Sequence, residues 1–159
     1  MTVSESARMN SAAEARFRVQ APNSKPRAIT VVALDADGER VVRDISSGGW
    51  QNARFFTSLS PDGTLIGIAG TNRALTDEVE ASDLVVLVAG PGGRADLAPR
   101  IGEACSAKRV MTTGFVVGAA GASDTELSKT LAQLRPWSLM VVIANNDEYI
   151  ADMMAALRA

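Results

Sequence analysis

The sequence predicts an α/β domain, a doubly wound and mostly parallel sheet with helices on both faces. Three observations carry that expectation. Leu84–Ala89, Val110–Val117 and Leu139–Ala144 are apolar runs without alternation, as strands buried on both faces require. Stretches with helical spacing of apolar residues lie between them. Glycine-rich turns punctuate the alternation, and a βαβ succession of this kind builds parallel sheets with right-handed crossovers. At 159 residues the chain has the length of one domain.

Taken in order, residues 1–26 are small, polar and dotted with arginine, and they end in Pro22-Asn23-Ser24-Lys25-Pro26. The two prolines break any preceding helix, so this segment is expected to be a flexible tail, with the folded domain spanning 27–159. Ile29–Leu34 is a β-branched run. Asp35-Ala36-Asp37-Gly38 supplies turn chemistry and Glu39–Ile45 resumes with strand propensity, which predicts an N-terminal hairpin and one antiparallel edge strand. After Ser46-Ser47-Gly48-Gly49, the spacing of Trp50, Ala53, Phe56 and Leu59 predicts a short amphipathic helix. Pro61 and Gly63 break it, and Thr64–Ala69 reads as a strand parallel to the three apolar runs. Ala74–Glu80 is helix-like. Leu97, Ala98, Ile101, Ala104 and Cys105 mark one face of the next helix, with Lys108 and Arg109 favourably placed at its C-terminus. Ser123-Asp124-Thr125-Glu126 is a capping-box pattern, so a helix begins near Asp124 and runs through Leu127, Leu131 and Leu134 to Pro136. Asn145-Asn146-Asp147 caps a final helix with the face Ile150, Met153, Met154 and Leu157.

Composition excludes several chemistries. There is no histidine, so no Ser-His-Asp triad, Cys-His dyad or histidine-based metal site can form. A single cysteine, Cys105, permits neither an internal disulfide nor an iron–sulfur cluster, and its place on an apolar helix face reads as a buried structural thiol. The net charge of −2 gives no reason to expect nucleic-acid binding. No run of 18 apolar residues suggests a membrane span, and the N-terminal residues lack the apolar core of a secretory signal. The chain is accordingly expected to be cytoplasmic. Asp35, Asp37 and Asp44 are close in sequence, but a hairpin turn accounts for the first two better than a metal does. Thr112 and Thr113 are expected to pack within a strand, and Trp50 and Trp137 to fill the ends of helices.

The residues expected to carry function are the glycine turns. In an open parallel sheet, ligands bind at the carboxyl ends of the strands, where crossovers of opposite direction diverge. Glycine allows close backbone approach to a phosphate, and a helix N-terminus attracts it. Gly48-Gly49, Gly70-Thr71-Asn72 and Gly90-Pro91-Gly92-Gly93-Arg94 are therefore expected to share one rim and to hold a phosphate-bearing ligand, with Arg94, then Arg73, neutralising its charge. Gly118 and Gly121 follow another strand. Neither GxxxxGK[ST] nor GxGxxG occurs, so the chain has no P-loop and no dinucleotide fingerprint.

The run from Ser82 through Ala89 to Gly90-Pro91-Gly92-Gly93, followed by Ala98-Pro99 and Ile101-Gly102-Glu103-Ala104, resembles the signature region of the tubulin/FtsZ family. Gly48–Ala53 is similar to that family's first glycine loop, Thr64–Leu75 to its second strand and nucleotide-facing loop, and Leu139–Asp147 to the strand and Asn-Asp turn before its central helix. The resemblance spans about residues 39–150 and implies GTP or GDP, or another nucleotide, on the glycine loops. The family's Gly/Thr-rich loop is replaced by Gly92-Gly93-Arg94-Ala95-Asp96, and its second domain has no counterpart. A reduced, degenerate member without the usual GTPase activity is what the resemblance implies. The other function class is a non-catalytic interaction module that has lost its ligand and acts by oligomerising or binding a protein partner. No carboxylate pair suited to acid–base work is visible, which leans against an enzyme.

Overall fold

Val85–Ala89 is fully buried, which only the centre of a two-faced sheet provides. The computed structural model of the protein describes residues 26–92, 95–144, 146 and 148–159. Residues 1–25 of the expected tail lie outside them. The strands β1 (Ile29–Ala33), β2 (Ala53–Leu59), β3 (Thr64–Gly67), β4 (Arg73–Ala74), β5 (Leu84–Ala89), β6 (Met111–Val117) and β7 (Met140–Ala144) form one sheet in the order β4-β3-β2-β1-β5-β6-β7. The five strands β2-β1-β5-β6-β7 are parallel, and β3 and β4 are antiparallel additions beside β2. The expected doubly wound α/β fold is what forms.

Among the described residues five helices cover it: α1 (Ala36–Ser46), α2 (Leu75–Glu80), α3 (Ala98–Ala107), α4 (Asp124–Leu134) and α5 (Glu148–Ala156). On one face, Val41, Val42 and Ile45 of α1 and Ile150 and Met154 of α5 close over Ile29, Val31, Val86, Val88 and Phe115. On the other, residues of α2, α3 and α4, among them Val79, Ile101, Cys105 and Leu134, close over Val32, Phe56, Leu65, Val85, Leu87 and Val116. No helix of the described residues is long and apolar enough to cross a membrane.

Three expectations are corrected. Ile29–Ile45 is not a hairpin. Asp35 caps a helix by accepting a hydrogen bond from the Gly38 amide at 2.8 Å, and β1 lies at the centre of the sheet rather than its edge. The acidic first turn (Asp37, Glu39) and the apolar positions Val41, Val42 and Ile45 stabilise that helix, overriding its β-branched residues. Gly38 admits this helix against the sheet, because a Cβ there would lie 2.1 Å from the Val88 carbonyl oxygen. The expected helix beginning at Trp50 is instead β2, whose aromatic residues suit a pleated surface, while Trp50 closes the end of α1 by donating its indole N–H to the Ile45 carbonyl at 2.8 Å. Finally, β3 is not a parallel neighbour of β5: it returns antiparallel through Ser60–Gly63 and pairs with β2.

The later elements follow expectation. Ser123 accepts from the Glu126 amide at the start of α4, and Trp137 packs against α3, where a Cβ on Gly102 would lie 2.4 Å from the Trp137 Cβ. Thr112 and Thr113 are buried in β6, and Cys105 is buried.

Candidate functional site

The strand order places the switch point between β1 and β5: the chain leaves β1 toward β2 and leaves β5 toward β6. The turns meeting there are Leu34–Ala36 and the one that opens with Gly90, and a carboxylate already sits between them. Asp35 accepts from the Gly38 amide and, through both oxygens, from the Gly90 amide at 3.1 and 2.9 Å. Asp37 stands beside it, so close that a Cβ on Gly90 would fall 2.4 Å from Asp37 Oδ2. The loop is tied down further along. The Gly92 amide donates to the Glu126 carbonyl, the Ala95 amide to Gln133 Oε1 at 2.9 Å, and the Thr130 hydroxyl to the Gly90 carbonyl. Three backbone donors that would face a phosphate thus serve the protein's own acceptors, beside two carboxylates that repel anions. Gly93 and Arg94 lie outside the described residues.

The expected single rim divides in two. Gly90 and Gly92 lie at the carboxyl ends of the parallel strands, as does Gly118 after β6. Gly48 and Gly49 instead follow α1 and precede β2, and Gly70, Thr71 and Asn72 follow the antiparallel β3. These five residues therefore lie at the opposite, amino end of the sheet. A shared rim requires every glycine turn to follow a parallel strand, and the reversed direction of β3 and the helix before Gly48 remove that basis.

At this amino end the structure opens a cavity of about 460 Å³ between β2 and the turn after β3. Ala53, Phe55, Phe56 and Ile68 give it apolar walls, and Arg54, Thr71 and Arg73 bring polar groups. Both arginines reach Glu78, which is entirely buried. Arg54 Nε donates to Glu78 Oε1, and Arg73 Nε lies 3.3 Å from Oε2. Thr30 also donates to Oε1, at 2.9 Å, and shares a hydrogen bond with Ser82. Arg54, Glu78 and Thr30 carry no signal in the sequence, since they come from three separate elements, β2, α2 and β1, and no local motif joins them; Ser82 comes from the turn before β5.

Elsewhere, burial pushes the Cys105 thiol above its ordinary value, and the Ser60 and Thr64 hydrogen bonds hold the exposed Asp62 carboxyl below its own. No group of three or more metal-ligating side chains gathers among the described residues, and Asp44 does not complete one with Asp35 and Asp37.

Fold and site together define a doubly wound α/β protein whose switch point is filled by its own carboxylates. No family model matches the chain, and no curated protein matches its sequence.

Proposed function

We propose that this chain is a non-catalytic interaction module on a nucleotide-type scaffold, self-associating through the free edge of β7. The observation that carries this reading is the state of that edge. Among the described residues β7 is hydrogen-bonded to β6 alone, with Leu139 76%, Met140 50% and Ile143 41% exposed, and Met111 of β6 is 54% exposed nearby. Residues 136–144 carry no charge. Soluble proteins ordinarily guard such an edge with lysine, proline or a bulge in the strand. An uncharged strand suits pairing with its own copy, because a two-fold axis sets identical residues near one another and no like charges meet. Antiparallel pairing of β7 with a second β7 would satisfy the free backbone groups and bury the exposed side chains of both copies.

Sedimentation across a concentration series tests it. The wild type is expected to be a dimer at micromolar concentration. Ile143→Lys is expected to be a folded monomer, because two ammonium groups would then face each other across the axis. A monomeric wild type would overturn the reading.

A second reading keeps the nucleotide that the tubulin/FtsZ resemblance implies. It is favoured by the turn that opens with Gly90 lying at the switch point, where ligands bind in such sheets. A thermal-shift series with GTP, GDP, ATP and phosphate separates the two, since a ligand at 100 times its Kd stabilises by about 2.7 kcal/mol. Asp35→Asn is expected to raise any such response.

A further inference from the structure

We infer that the cavity between β2 and the β3–β4 turn is a binding site for a small amphipathic anion, an apolar body ending in a carboxylate or a phosphate monoester. Its volume, about 460 Å³, is that of a small-molecule pocket, and its walls are apolar with a few polar groups, as in such sites generally. The charge arrangement selects the ligand. Two guanidiniums, Arg54 and Arg73, meet one carboxylate, Glu78, leaving a surplus positive charge. Each arginine engages Glu78 through Nε, and no other hydrogen bond or ion pair to either guanidinium occurs among the described residues. The side chains are 45% and 43% exposed, so both remain open to solvent. A guanidinium fork suits the paired oxygens of a carboxylate or phosphate. Glu78, held by Thr30 and by both arginines, fixes the two forks in place. An apolar tail alone would leave the surplus charge unanswered, and a bare anion would leave Phe55 and Ile68 uncovered. The inference stands apart from the self-association through β7, which lies at the opposite edge of the sheet.

Isothermal titration of the full chain tests it with octanoate and octyl phosphate, against octanol as tail without charge and acetate and inorganic phosphate as charge without tail. At least one of the two amphipathic anions is expected to bind roughly tenfold or more tighter than every control, the scale of a hydrogen bond to a charged group. Which of the two binds identifies the headgroup. Arg73→Gln is expected to reduce that ligand to the affinity of octanol. Ala69→Trp, placing an indole at an exposed position of the cavity wall, is expected to weaken binding while the melting temperature holds. The proposal is overturned if octanol binds as tightly as both anions, if none binds, or if both substitutions leave the affinity unchanged in folded protein.

Discussion

The two edges of the sheet are built on opposite plans. Beyond β2 the chain adds β3 and β4, antiparallel and short, ending in a two-residue strand that carries Arg73. That edge terminates in exposed polar chain, while Leu65 of β3 is fully buried beneath it. Beyond β6, among the described residues, there is only β7, parallel, uncharged and half-exposed. A parallel strand needs a crossover helix to bring it into place, whereas an antiparallel one needs only the four-residue turn Ser60–Gly63, so the first edge is closed with little chain and the second is left open. The closed edge therefore belongs to the core of one molecule, and in the proposed dimer the open edge completes its hydrogen bonding with a second.

The largest expected effect puts this contrast to the test directly. Leu65→Ala should cost about 2–5 kcal/mol in urea denaturation, the cost of truncating a fully buried leucine. Leu139→Ala, measured at a dilution where the chain is monomeric, should stay within about 0.5 kcal/mol of wild type. Equal losses at the two positions would erase the distinction between the edges.

Next in size is Glu78→Gln, which should lower stability by about 1–3 kcal/mol because the amide keeps one acceptor oxygen but removes the buried negative charge between the two arginines and sets its NH2 group against Arg73. The same change releases a guanidinium, so amphipathic anions should bind several-fold tighter. Loss of stability without that gain would make the cluster purely structural. Asp35→Ala, at neither edge, should cost about 1–2 kcal/mol through loss of the α1 cap and provides a measure of the centre.

The smallest effect depends on pH. Burial raises the Cys105 thiol, so the folded state favours its neutral form. The stability this contributes is complete below the ordinary value of 9.0 and is lost as pH rises past it toward the raised folded value. The wild type should accordingly lose melting temperature relative to Cys105→Ala between neutral pH and pH ~10, while the gap stays constant below pH ~8. A gap that does not change with pH would mean that the thiol is reached by solvent.

The regions that sequence alone resolved are those where one signal acts unopposed. β5 and β6 announce themselves by unbroken apolar runs, α4 by Ser123 and Glu126, and α3 by its apolar face. The misread regions held two signals in conflict. In residues 36–46 the propensity of Val41, Val42 and Ile45 spoke for a strand, while their spacing and the capping Asp35 spoke for a helix, and burial against the sheet decided for the helix. In residues 50–59 the three-residue spacing of Ala53, Phe56 and Leu59 imitates a helix, but the buried partner on each side is a strand. The direction of β3 could not be read locally, since parallel and antiparallel strands share a composition. That one direction decides which end of the sheet receives Gly70, Thr71 and Asn72. The Glu78 cluster was out of reach for a related reason: its residues meet only once four elements have been placed.

One consequence follows from the hydrogen bonds between Asp35 and the Gly90 amide. In effect the carboxylate is a ligand attached to its own receptor. Groups held in place within one molecule act with effective concentrations of up to about 10⁵–10⁸ M in the best-oriented cases, so even a small fraction of that range exceeds any metabolite's concentration. An anion from solution must therefore displace a competitor that never dissociates from the molecule. While Asp35 remains, the switch point behaves as a receptor at permanent saturation.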